Sequence, residues 1–217
     1  MKSQERGEMR VVIRVLMVAF AVLWFVSSAP AQTKPTDVIK NATERALHVL
    51  HTCGTDSPEH IKARREAVRS IAMEYVDFEE AAKRSLGRHW RSLNPEQRTE
   101  FVSLFKDLLY FTYIGKVDTY TCGEDEVVRY EEERVEGRFA LVKTRVRYQN
   151  QDVVVEYRMI QSGDRWMVYD VVIEGISYVS NYRSQFESFL VNRSVNDLLD
   201  SLKQKVAELE KNDRFGS

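Results

Sequence analysis

The chain has 217 residues, 43% of them hydrophobic and 30% charged, with 32 Lys and Arg against 33 Asp and Glu. So even a balance excludes the basic footprint of a nucleic-acid-binding domain, and no nucleic-acid partner is expected. The length is sufficient to bury a substantial core within one domain.

In chain order, Arg10 and Arg14 precede an apolar run from Val15 to Val26, followed by the small residues Ser27-Ser28-Ala29-Pro30-Ala31. The run has 12 residues, short of the roughly 20 that a membrane-spanning helix needs. Residues 1–31 are therefore expected to be a cleavable signal peptide, cut after Ala31, with no lipidation cysteine behind it. Export would leave residues 32–217, with 28 basic against 31 acidic side chains.

Helices are expected over 36–51 and, strongly charged, over 59–74. Asp77 with Glu80 forms a capping pattern for a short helix from about 78 to Leu86, stopped at Gly87. Asn94-Pro95-Glu96-Gln97 opens the next, since Asn suits the N-cap and Pro at the first helical position lacks only an N–H the helix does not use. That helix carries Phe101, Leu104, Phe105, Leu108, Leu109 and Thr112 on one face, flanked by Val102 and Tyr113, and should run to about Tyr120. From Glu126 the period becomes two, giving strands at about 126–134, 138–149, 152–161 and 165–174 joined by tight antiparallel connections. Helices at about 177–191 and 195–211 follow, the second opened by Ser194 with Asp197. The pattern is that of one α+β domain over 32–217.

Cys53 and Cys122 both sit where elements should end. In an oxidising exported compartment such a pair is often bridged, but a disulfide and two buried thiols both remain open. His48, His51 and Cys53 form H-x2-H-x-C, too few ligands for structural zinc, so no metal is expected. His89 reads as a packed corner. Asp170 and Glu174 could face one side of the last strand as an acid–base pair; the plainer reading is that they cap backbone or pair with arginines. No G-x-S-x-G, H-E-x-x-H or phosphate-cradling glycine loop is present, so neither an enzyme nor a cofactor is expected.

The apolar pattern is more informative. Val153, Val155 and Tyr157 lie on one strand face, with Val154 and Ile160 on the other. Trp166, Val168 and Val172 alternate with Met167, Tyr169, Val171 and Ile173. Apolar residues on both faces mean a sheet covered on both sides or wrapped around something. A helical stripe of Ile176, Val179, Tyr182, Phe186, Phe189 and Leu190 follows. Core packing and a ligand cavity both fit.

Several segments narrow this. They are Asp77-Phe-Glu-Glu, Leu86-Gly-Arg-His-Trp-Arg91, Pro95-Glu-Gln-Arg-x-x-Phe101 and Leu108-Leu-x-x-x-Tyr113. Gly163-Asp-Arg-Trp-Met-Val-Tyr-Asp-Val-Val-Ile-Glu-Gly-Ile-Ser177 and Asn181-Tyr-Arg-Ser-Gln-Phe186 complete the set. Together, in this order and over roughly 36–206, they resemble the MlaC or toluene-tolerance family of periplasmic phospholipid-binding auxiliary proteins of an ABC-type lipid transport system. The two cysteines and the acidic stretches Glu124-Asp-Glu126 and Glu131-Glu-Glu-Arg134 depart from that pattern.

The resemblance implies an NTF2-like α+β cone, a curved antiparallel sheet of four to five strands packed against N-terminal and C-terminal helices with a lipid cavity between. It implies a Gram-negative periplasmic monomer with phospholipid as cargo. The implied partners are an MCE-domain inner-membrane transporter and an outer-membrane lipoprotein–porin complex. The pocket expected on this basis takes Phe101, Phe105, Leu108, Leu109 and Tyr113 from a helix, and Val142, Val146, Val155, Tyr157, Val168 and Val172 from the sheet. Ile176, Val179, Tyr182 and Phe186 come from the tail. A carrier of hopanoid or other polycyclic lipid, and a non-lipid periplasmic adaptor, are the alternatives.

Overall fold

A computed structural model describes residues 33–51, 57–118, 127–148 and 151–215. Cys53, Cys122 and the leader lie outside the described residues. So does Glu124-Asp-Glu126.

Capping chemistry sets the helix boundaries. Helix α1 spans Pro35–His51 and α2 spans Pro58–Tyr75, with Ser57 accepting from the His60 N–H at its start. Helix α3, Phe78–Leu86, begins where Asp77 accepts from the Glu80 N–H and ends at Gly87, after which Gly87–Ser92 continues as a 3-10 turn. Helix α4, Pro95–Tyr113, opens on a reciprocal capping box: Gln97 N–H to the Asn94 side chain at 2.8 Å, and Asn94 N–H to Gln97 Oε1 at 3.0 Å. A one-residue break at Ile114 separates it from α5, Gly115–Asp118.

Five antiparallel strands follow in the order of the chain: β1 Val127–Glu136, β2 Phe139–Tyr148, β3 Gln151–Ser162, β4 Arg165–Ile173 and β5 Ile176–Ser177. The β4–β5 turn places Glu174 and Gly175 both at positive φ (49° and 79°). That is the pair of conformations a type I′ hairpin requires. Helices α6, Tyr178–Leu190, and α7, Val195–Phe215, complete the fold. Among the described residues no helix is long and apolar enough to cross a membrane.

Opposed residues in an antiparallel ladder share a face, so the register identifies two rows pointing the same way. Ala140, Met159 and Val168 form one, and Val142, Tyr157 and Val171 the next. β4 carries one extra residue, Tyr169, between the pairs Met159–Val168 and Arg158–Asp170. Such a bulge reverses the parity of everything after it. Val168, Val171 and Ile173 therefore share one face, while Val172 turns to the other with Asp170, Arg158 and Glu156.

The core has two parts. One joins α3, α4, α6 and α7 around Phe101, Phe105, Tyr182 and Phe186, with Leu198, Leu199 and Leu202 behind them. Phe105 meets Tyr182 edge-on at 5.3 Å, and Phe101 meets Phe186 the same way at 5.6 Å, the geometry that brings ring edges onto ring faces. The other part seats Ile39 of α1 on Val142, Met159, Trp166 and Val168. Helix α2 places no residue fully inside either.

Candidate functional site

Between α2, α4, α6 and β4 lies an apolar cavity of about 530 Å³. Val68, Ala72 and Met73 of α2 form one wall, with Val76, Phe78 and Ala81 beside them. The opposite wall is Phe105, Leu109, Tyr110 and Tyr113 of α4, continued by Ile114 and Val117. Val168, Val171 and Ile173 supply the sheet side, and Tyr178, Val179 and Tyr182 of α6 close the end. Met73, one of the lining residues, is 49% exposed. Arg69, Lys106 and Asp107 also border it.

Each wall is positioned by identifiable chemistry. The N–H of Asp77 donates to the Val168 carbonyl at 2.8 Å, clamping the α2–α3 junction onto β4. At the other end Asp170, whose side chain is 2% exposed, accepts from Arg158 at 3.1 Å, the Ser177 hydroxyl at 2.7 Å and the Val179 N–H at 3.0 Å. Ser177 in turn caps α6 by accepting from the Ser180 N–H at 2.9 Å. The Asp170-to-Ser177 segment is thus a latch that aims Tyr178, Val179 and Tyr182 into the cavity. Glu174 accepts from the Val154 N–H. These two carboxylates serve backbone and arginine rather than each other, the plainer of the two readings given above.

Besides the charged residues Arg69, Lys106, Asp107 and Asp170, the lining carries the tyrosines Tyr110, Tyr113, Tyr169, Tyr178 and Tyr182. Burial, then the adjacent Tyr182, pushes Tyr113 far above the ordinary tyrosine value, and burial raises Tyr110 as well. Tyr113 also meets Tyr178 edge-on at 5.0 Å. Among the described residues, no group of three or more His, Cys, Asp or Glu is placed to hold a metal.

Of the residues singled out in the sequence, Phe105, Leu109, Tyr113, Val168, Val179 and Tyr182 meet at this cavity. Phe101, Leu108 and Phe186 instead fill the aromatic core next to it. Val142 and Tyr157 share the sheet face of the cavity, but α1 lies over them. Val146 and Val155 lie on that face too, paired with Val153 and Ile173, without lining the cavity. Val172 faces the other way because of the bulge at Tyr169, and Ile176 is 65% exposed. The wall that sequence reasoning missed is α2. Its many charged residues mask Val68 and Ala72, spaced i, i+4 on one helix face, with Val76 just past the helix end.

The sequence profile of the MlaC protein family matches residues 40–204. The intermembrane phospholipid transport system binding protein MlaC of Haemophilus influenzae is 23% identical over 135 residues, 62% of this chain and 60% of the relative. The chain thus aligns with less than two thirds of that relative's length. Among solved structures, the phospholipid-binding protein of Ralstonia solanacearum in complex with a phospholipid superposes with a TM-score of 0.73 at 24% identity. That match covers 82% of this chain and 99% of the other. An α+β chain with this curved five-stranded sheet, matched by the profile over most of its length, belongs to the MlaC family.

Proposed function

We propose that this protein is an exported periplasmic carrier that holds phospholipid acyl chain in the apolar cavity. In this reading residues 1–31 direct export and are removed. The mature chain exchanges cargo with an MCE-domain transporter in the inner membrane and a lipoprotein–porin complex in the outer membrane, and performs no covalent chemistry.

The cavity is the observation that carries this reading. A dry apolar cavity of about 150 Å³ admits benzene, with six carbons. By that ratio 530 Å³ corresponds to about 20 carbons, or one long acyl chain. At about 0.8 kcal/mol per CH₂, sheltering such a chain from water is worth roughly 16 kcal/mol. A lipid so costly to release into water needs a carrier. Because cavity and bilayer are both hydrocarbon environments, transfer between them is close to neutral, and the same protein can load and unload. The headgroup is costly to bury and stays at the mouth near Met73. A close-packed interior would have favoured an adaptor instead.

Native mass spectrometry of the purified protein, with extraction of bound lipid, tests the proposal. About one phospholipid per chain is expected. Protein that purifies empty and takes up no phospholipid from vesicles overturns it.

A further inference from the structure

A second cavity, of about 500 Å³, lies across the wall formed by Tyr169, Asp170 and Val179, which border both spaces. Its lining is cationic: Lys83 and Arg84 from α3, Arg91 from the 3-10 turn, Arg158 from β3 and Arg183 from α6. Among the described residues, the carboxylates lining it, Glu80 and Asp170, are already engaged. Glu80 is shared by Lys83 at 3.1 Å and Arg84 at 2.8 Å, and Asp170 holds Arg158. Five cations against two anions leave the lining with a surplus of three positive charges.

Two of the cations are packed against features of the wall. Gly87 has φ +56°, and a Cβ built there would come 2.9 Å from Arg183 Nε. The missing side chain is what lets the Arg183 guanidinium lie against the α3 terminus. Arg84 lies over the Tyr169 ring at 4.0 Å, a cation–π contact that fixes its orientation.

We propose that this pocket binds a phosphate group. Four of its five cations are guanidinium forks, which match phosphate oxygens in pairs better than ammonium groups do. The pocket is a hollow between three helical segments and two strands rather than a long groove, so it suits a compact anion better than an acidic peptide. Its shared wall places a bound phosphate one side-chain layer from hydrocarbon, the spacing of headgroup and tails at a bilayer surface. A lipid headgroup and a free phosphate compound both carry this group, and the site is separate from the tail cavity on which the proposed function rests.

The test compares the full protein with R91Q/R183Q, which changes two exposed side chains outside the tail cavity, and with R129Q/R134Q on β1 as a charge-matched control. Each is titrated by calorimetry with inorganic phosphate and, separately, with polyglutamate. Each is then floated with vesicles of phosphatidylcholine alone or with added phosphatidylglycerol. Binding is expected to fall about tenfold or more in R91Q/R183Q and to stay unchanged in the control. Loss on vesicles, with competition by inorganic phosphate, assigns a headgroup; loss with inorganic phosphate alone assigns a free compound. Equal binding by all three proteins, or an R91Q/R183Q effect seen only with polyglutamate, overturns the proposal. Copurified lipid, measured on the same samples, reports the tail cavity separately and is expected to be unaffected.

Discussion

Ala72 offers the most direct test of the cavity, because its side chain borders that space on α2. An Ala72→Trp substitution adds an indole, larger than the benzene that fills about 150 Å³. It would therefore reduce the 530 Å³ to about 380 Å³ and the capacity from about 20 carbons to about 15. Five methylenes left in water cost about 4 kcal/mol, close to a thousandfold in loading. Since α2 buries none of its residues fully, it can move outward and recover part of that loss. A decrease of about ten- to a hundredfold is expected, with the remaining lipid shifted to shorter chains. Fluorescent-lipid uptake from vesicles measures the first and mass spectrometry of extracted lipid the second. Wild-type uptake with an unchanged chain-length distribution would refute the assignment of this space to acyl chains.

Asp170→Ala removes a nearly fully buried acceptor of three hydrogen bonds. With Arg158 able to rehydrate, about 2–3 kcal/mol of stability should be lost in urea unfolding, accompanied by reduced lipid content as α6 loosens. Phe101→Ala, in the core but off the cavity, should cost about 3–5 kcal/mol by the same measurement and leave lipid per folded chain unchanged; depleted lipid would show that core and cavity are not separable. The raised value of Tyr113 means that the native state retains a proton the unfolded state gives up near pH 10. Its contribution is therefore complete below pH 10 and lost as pH rises beyond it. Thermal melts across pH 8 to 11 should show stability falling above pH 10, less steeply in Tyr113→Phe, and identical slopes would contradict the buried placement.

Much of the architecture was legible because it rests on local chemistry. The Asn94–Gln97 box, the Asp77 cap and the glycines at 137 and 163 each act within a few residues, so helix starts and hairpin turns fell close to their expected places. Alternation is unbroken through β2 and β3, so Val142, Val146, Val155 and Tyr157 share one sheet face, though none of them lines the cavity. The assignment of faces fails at β4 because nothing local in Trp-Met-Val-Tyr-Asp announces that Tyr169 will be left out of the ladder. The same limit explains Phe101 and Phe186: a stripe of aromatic residues does not reveal which of them meet other rings and which face empty space. Only the packing of α7 against α4 decides that.

Because α2 contributes to the enclosure without anchoring either core, the vessel has one soft side. Bulkier cargo would strain that side first and spare the aromatic cluster that keeps the molecule folded. On the proposed function, capacity and foldedness would then be uncoupled, a second tail being admitted by displacing a helix instead of melting a domain.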